Sequence, residues 1–474
     1  MKRVPFFLLL LAFAAGLQAK VVDLPTAKKV AEYYYMNCVK KNPVQAGAVM
    51  VYSEKAALPG EKSATTCFYA FNIDKGFVIV SADDRVTPIL AYSNEGNFDG
   101  QNIPENVAFF LDGYKREISS ILAMDGADVN PDWALLENGE MPHDKDATVV
   151  VGPLLKTQWA QERYYNSKCP VDTAGPAGHA FVGCGAIVMG QVMRYWKYPV
   201  HGTGHSSYVC NLASYGNGYG DYGTLSANYG NTTYEYDKMP KKLTSTSTQE
   251  QVDAVATLLS HCGISVKMNY GSLGSSVSPV NIVSAMKTYF GYPNTVRYLE
   301  RRSYGDAAWL SMIKAELDSL APFFYGGQSS TYGGHVWVCD GYRDDNYFHM
   351  NWGWGGQYDG YFVLSSLSRY AFNYNQAIII GIRGPQLPDP EVSISNAENQ
   401  DFSICPNPSD GRSFVKFGTN PSSVKVFDMC GKETGVIRMD GNGATLDLTG
   451  CPAGVYIVRA TYNDKVITKR VVKK

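Results

Sequence analysis

Charge is scarce in this chain. Only 18% of its 474 residues are Asp, Glu, Lys or Arg, and 42 basic against 44 acidic groups leave a formal net charge of −2. Such a balance supplies no long-range attraction for phosphate, which excludes a nucleic-acid partner. Long apolar runs are also missing. The apolar stretch Phe6 to Leu17 is 12 residues long, too short to span a membrane. With Lys2 and Arg3 before it and the small Ala19 after it, it reads as a secretory signal over 1–19. No Cys stands at the cleavage point, which argues against a lipid anchor, so a soluble exported protein with no stable membrane span is expected. The ten cysteines nowhere take Cys-x-x-Cys spacing, so neither a metal nor another cofactor is expected.

What the chain has instead is aromatic bulk, with 33 Tyr, and enough length for roughly two to four folded units. Residues 20–147 combine a helical run (Thr26 to Val39), strands at Cys67 to Ile73 and Gly76 to Ser81 turning at Asp74-Lys75, and a helix from Val107 to Met124. The polar stretch Glu137 to Ala147 is exposed in character, and reads either as a cleavable precursor boundary or as an ordinary linker. In 148–383, Gly185 to Trp196 is apolar on nearly all sides, the mark of a buried helix, and Pro199 ends it. The Gly/Tyr/Asn-rich segment 201–235 reads as surface loop. Helices are expected over Glu250 to Cys262, Asn281 to Phe290 and Ala307 to Leu320, and a hairpin over His335 to Tyr342 and Tyr347 to Trp352. Pro385, Pro388 and Pro390 mark a linker at 384–401, and 402–474 carries the short alternating strands of a small all-β sandwich.

The chemistry concentrates around one thiol. Cys184, in Gly183-Cys184-Gly185-Ala186, opens the buried helix, where unpaired N–H groups and the positive dipole end favour a thiolate. Read as a nucleophile, its own N–H can donate to an oxyanion; read otherwise, it is a small buried residue or half of a disulfide. A thiolate needs a base that later protonates the leaving amine. His335 follows Gly333-Gly334 and opens a strand, and a turn centred near Asp344 sets Asn351 almost opposite it, where the amide can orient the ring. His349 is the rival base. Trp352 and Trp354 stand among glycines, one ring able to shield the His–Asn bond and both able simply to pack a core. Gln161 in Trp159-Ala160-Gln161 is an amide able to supply a second oxyanion donor, or an ordinary surface Gln.

Val182-Gly-Cys184-Gly-Ala, Gly333-Gly-His335-Val-Trp-Val-Cys-Asp-Gly341 and Phe348-His-Met-Asn351-Trp-Gly-Trp-Gly-Gly356 together resemble the motifs of the streptopain family, papain-like cysteine peptidases of bacteria. The resemblance implies an α+β fold, a two-lobed papain-like peptidase with an N-terminal α+β propeptide that inhibits by docking over the cleft until autocatalytic removal. It implies Cys184 as nucleophile, His335 as base and acid, Asn351 orienting the ring, Gln161 as oxyanion donor and Trp352 as the shield. It places Ser276, in the loop Gly271 to Pro279, and Gly334 against a protein or peptide substrate, with an apolar residue favoured two places before the cut bond. Val277 to Pro279 departs from the glycine- and serine-rich family loop, and four central cysteines are extra. Separately, Ile404-Cys-Pro-Asn-Pro-Ser-Asp-Gly, Leu448 to Tyr456 and the basic ending Lys465 to Lys474 resemble a type A sorting domain, which implies the type IX secretion machinery as partner and export to the cell surface or beyond. An acyl transferase on the same fold, a surface adhesin or inhibitor without turnover and, for the C-terminal part, an Ig-like binding module are the alternatives.

Overall fold

The computed structural model describes residues 21–39, 47–58, 60, 63–124, 128–142, 149–216, 218–329, 333–364, 376–385 and, with a few exceptions, 402–473. The expected signal segment, residues 143–148 and nearly all of the Pro-rich linker lie outside them.

Helix α1 (Leu24–Tyr34) starts where the Asp23 carboxylate accepts the Thr26 N–H at 2.9 Å, with a Pro in the first turn. Strands β1 (Val49–Ala56), β2 (Thr65–Ile73), β3 (Gly76–Ser81) and β4 (Ile89–Ser93) follow as an antiparallel meander. Asp74 turns β2 into β3 at φ 52°. Helix α2 (Glu105–Leu122) buries Val107, Phe110, Tyr114, Ile118 and Ile121, a spacing of three and four that lays one apolar face on the sheet. The short α3 (Asp132–Glu137) closes this unit.

The next region runs β5 (Val149–Val151), α4 (Cys184–Trp196), β6 (His205–Asn211), β7 (Asp221–Asn228), α5 (Gln249–Ser265), α6 (Pro279–Thr288), β8 (Arg297–Glu300), α7 (Asp306–Asp318), β9 (Phe323–Ser329), β10 (Gly333–Arg343), β11 (Tyr347–Asn351), β12 (Gly360–Val363) and β13 (Gln376–Ile380). Helices α4, α5 and α6 pack together as one lobe, β8 to β13 form the sheet of the other, and α4 lies against β10. That is the expected two-lobed α+β arrangement. Ile187, Val188, Met189, Val192, Met193 and Trp196 of α4 are all buried, each worth about 1.5–3 kcal/mol of apolar burial.

Two expectations need correction. The segment 201–235 is not all loop, because β6 and β7 pair through it as a hairpin. Only Cys210 and Ala227 of the pair are fully buried, so the apolar alternation that announces a strand is nearly absent. The N-terminal unit is also not a self-contained sheet. Its β4 pairs with β12 through Ala91↔Phe362 and Tyr92↔Tyr361, which joins both regions in one sheet of order β1-β2-β3-β4-β12-β11-β10-β9-β13-β8, with β5 on β10.

Residues 402–473 form the expected sandwich. Strands β14 (Phe402–Cys405), β15 (Arg412–Phe417), β16 (Ser423–Asp428), β17 (Val436–Asp440), β18 (Gly443–Asp447), β19 (Gly454–Thr461) and β20 (Val466–Lys473) make sheets β14-β15-β18-β17 and β16-β19-β20 around Phe402, Val415, Phe417, Val426, Leu446 and Val458. Strand β17 went unread because it is exposed along almost its whole length.

Candidate active site

Cys184 opens α4 as expected, and its two glycine neighbours have a steric reason. Gly183 sits at φ 88°, and a Cβ there would lie 2.8 Å from Met268 Sδ; one on Gly185 would lie 2.5 Å from Val277 Cγ1. Burial pushes the Cys184 thiol up, against the pull of the Val336, Gly185 and Cys184 backbone N–H groups, and the Glu105 carboxylate adds a further push. The expected thiolate is therefore corrected for this closed form. The helix terminus does act on the sulfur, but burial outweighs it.

Packing of β10 on α4 brings the strand of His335 to the helix that Cys184 opens. The imidazole itself points elsewhere. Strand side chains alternate, and His335 shares a face with Trp337 toward α2, where its ring lies 6.4 Å from that of Phe109 and Nε2 is 3.7 Å from Glu105 Oε2. Asn351 is opposite Val338, not His335, because the pairing of Tyr342 with Phe348 centres the turn at Asp345 and a bulge between Cys339 and Gly341 then shifts the register by one residue, which changes the face. It therefore faces α4, across the sheet from the imidazole. Its Oδ1 accepts from Gln191 Nε2 at 2.9 Å and the Gly353 N–H at 3.2 Å, and its Nδ2 donates to the Thr157 carbonyl at 2.9 Å. The expected His335–Asn351 pair is absent from this form.

Trp352 is buried among Trp337, Phe110 and Phe362, with ring centroids 4.8 to 5.5 Å away, and covers no His–Asn bond here. Asn106 of α2 donates to the Trp352 carbonyl at 2.9 Å and accepts from Trp354 Nε1 at 2.9 Å, so the N-terminal unit occupies this corner. Gln161 is buried, not on the surface, and its carbonyl takes the Val182 N–H at 3.1 Å, two residues before Cys184. Gly334 is exposed and pairs with Gln328. The Ser276 hydroxyl bonds Tyr219 OH at 2.9 Å, so the side chain of its loop that crowds the residue after Cys184 is Val277. Tyr219 belongs to the β6–β7 connection, whose Gly218 carbonyl takes the Ser272 N–H at 2.8 Å. The sequence marks Val277 only as part of the departing loop and does not single out Gln191 or the α2 contacts; a lone amide on the largely apolar α4 is the signal for Gln191.

His349, the rival base, belongs to a separate buried cluster. Its Nδ1 is 2.6 Å from Asp340 Oδ1, while Asp340 Oδ2 takes the Leu155 N–H and Asp359 takes the Trp352 N–H, both at 2.9 Å. Burial works to lower the His349 pKa, but the charge and hydrogen bond of Asp340 with the charge of Asp359 raise it. Burial pushes Asp359 up to about 7, against the Trp352 N–H and the charge of His349. Both groups hold a proton more tightly folded than unfolded, so both stabilise the fold at low pH. The Asp359 share is lost as pH rises toward about 7, and the His349 share as pH climbs from about 6.5 through its raised value. Thermal melts should show the Tm advantage of wild type over His349→Gln shrinking from pH 6 to pH 8; a growing advantage would contradict this account.

All eight described cysteines, including the central Cys169, Cys210, Cys262 and Cys339, are free thiols. Among the described residues no group of His, Cys, Asp and Glu is arranged to hold a metal ion, and no helix is long and apolar enough to cross a membrane.

With this geometry in view, residues 159–362 match the Peptidase C10 family, 19–118 the Spi protease inhibitor family, and 403–474 a secretion system C-terminal sorting domain. Streptopain of Streptococcus pyogenes is 31% identical over 367 residues, covering 73% of this chain and 88% of streptopain. The thiol protease/hemagglutinin PrtT of Porphyromonas gingivalis is 28% identical over 83% of this chain, which spans 46% of that longer protein. Among solved structures, a fragment of Prevotella intermedia prointerpain A superposes with a TM-score of 0.55 at 28% identity, over 70% of this chain and all of that one.

Proposed function

The chain belongs to the peptidase C10, or streptopain, family of cysteine peptidases, and from that premise we infer that it is a secreted cysteine endopeptidase made as a zymogen, with Cys184 as nucleophile and His335 as base. The observation that carries the assignment is the packing of β10 against α4, which sets the strand that carries His335 beside the helix that Cys184 opens. Once its ring turns from Phe109 toward the sulfur, His335 takes the thiol proton as sulfur attacks the scissile carbonyl. The Cys184 N–H and the Gln161 amide stabilise the oxyanion, and His335 protonates the leaving amine before water hydrolyses the thioester.

The N-terminal unit, residues 20–147, acts as the inhibitory propeptide. Glu105 and Phe109 hold the imidazole, Asn106 and Phe110 cover the Trp352 corner, and β4 anchors the unit to β12. Its removal leaves 148–383 as the peptidase acting on protein or peptide substrates. Residues 402–474, joined through 384–401, address the protein to the type IX secretion machinery, and 1–19 to the inner-membrane export route.

The test is labelling. After incubation with an irreversible thiol-peptidase reagent, mass spectrometry should find the adduct on Cys184 and a new N-terminus between residues 137 and 150. An adduct on Cys169, Cys210, Cys262 or Cys339 with Cys184 unmodified would overturn the assignment.

A further inference from the structure

Gln191 follows Cys184 by seven residues, about 10 Å along the helix axis, and shares a stripe of α4 with Cys184 and Ile187. It is 0% exposed, and its amide is engaged at both ends. Nε2 donates to Asn351 Oδ1 at 2.9 Å, and Oε1 accepts the Trp159 N–H at 3.4 Å. The direction of this chain of bonds is forced. Asn351 must turn Nδ2 to the Thr157 carbonyl, because a carbonyl only accepts, so its Oδ1 faces α4 and requires a donor there. Gly353, at φ 76°, approaches the same stripe so closely that a Cβ would lie 2.8 Å from Ile187 Cγ2. Nucleophile helix, end of β11, the Gly353 corner and the 157–161 segment therefore meet on one buried amide. An apolar side chain of similar length would fill this space but would take away the donor that Asn351 Oδ1 faces and the acceptor of the Trp159 N–H, so packing alone gives no reason for Gln here.

We propose that Gln191 is a positioning residue for peptide hydrolysis: through Asn351 and Trp159 it fixes the 157–161 segment, and with it Gln161, at its working distance from Cys184. The proposal rests on the reading of Cys184 and Gln161 given above, and assigns Asn351 a bracing role with Gln191.

Gln191→Glu separates positioning from packing. A carboxylate cannot donate to Asn351 Oδ1, whereas a carboxylic acid of the same shape can, and burial keeps the acid form at mildly acidic pH. On purified processed enzyme, kcat relative to wild type at the same pH should fall about 10–100-fold at pH 8 and return to within about threefold at pH 5, with KM moving less than about twofold. Gln191→Met, which packs without a donor, should show the loss at every pH and keeps the test readable if the Glu variant does not fold at pH 8. Wild-type kcat in the Met variant, or a pH-independent loss in a folded Glu variant, overturns the proposal. Cys184→Ala is the control: if it keeps activity, the reading of the site falls and this inference with it, whereas an inactive Cys184→Ala beside unchanged Gln191 variants removes this inference alone.

Discussion

Cys184→Ala should lower peptide hydrolysis by at least about 10⁴-fold, as removal of a nucleophile does where acyl transfer depends on it, and should leave the precursor at full length. The sulfur is the one described central thiol that stands at a helix N-terminus with backbone N–H groups aimed at it, while Cys169, Cys210, Cys262 and Cys339 are fully buried within the core. In the closed form burial and Glu105 keep the thiol protonated, so activation has two parts. Departure of α2 removes the Glu105 carboxylate, and it frees His335 to take the proton. Gel electrophoresis with mass analysis of purified precursor checks the prediction. Maturation of the Ala variant in the absence of any other protease would require a different nucleophile.

His335→Ala should cost at least about a hundredfold in kcat/KM while the melting temperature stays near that of wild type, because the Glu105 carboxylate it faces is exposed to water and keeps its solvation when the imidazole is gone. His349→Ala should do the opposite. Deleting it leaves Asp340 and Asp359 buried without their cation, a loss on the order of 3 kcal/mol, yet the molecules still folded should hydrolyse peptide. Activity and thermal melts measured on the same samples distinguish the two. A stable, active His335→Ala beside a stable, inactive His349→Ala would move the base to the Asp340 cluster.

Much of this molecule was legible before any coordinates. The buried helix behind Cys184, the β2–β3 and β10–β11 hairpins and the terminal sandwich all announce themselves through local periodicity. Elements without that signature were unreadable: β17 lies open to solvent, β6 and β7 alternate with scarcely any burial, and β12 is defined by the neighbours that flank it. In the site, counting from a turn put Asn351 across from His335. The turn centres on Asp345 instead, and a one-residue bulge in β10 beyond it pairs Asn351 with Val338 and puts it on the other face of the sheet.

The sequence by itself determined the parts: a thiol placed at a helix head, a histidine opening a strand, an aromatic and glycine corner, a precursor unit and a sorting tail. Each is encoded by residue type and short-range spacing, which act whatever the rest of the chain does. Only the tertiary structure decided how the parts are engaged, with the imidazole turned to α2, Asn351 committed to Gln191, the thiol protonated and one sheet shared between precursor and peptidase. Those states depend on burial and on contacts between residues up to about 270 positions apart, and neither is a property of any local stretch of chain.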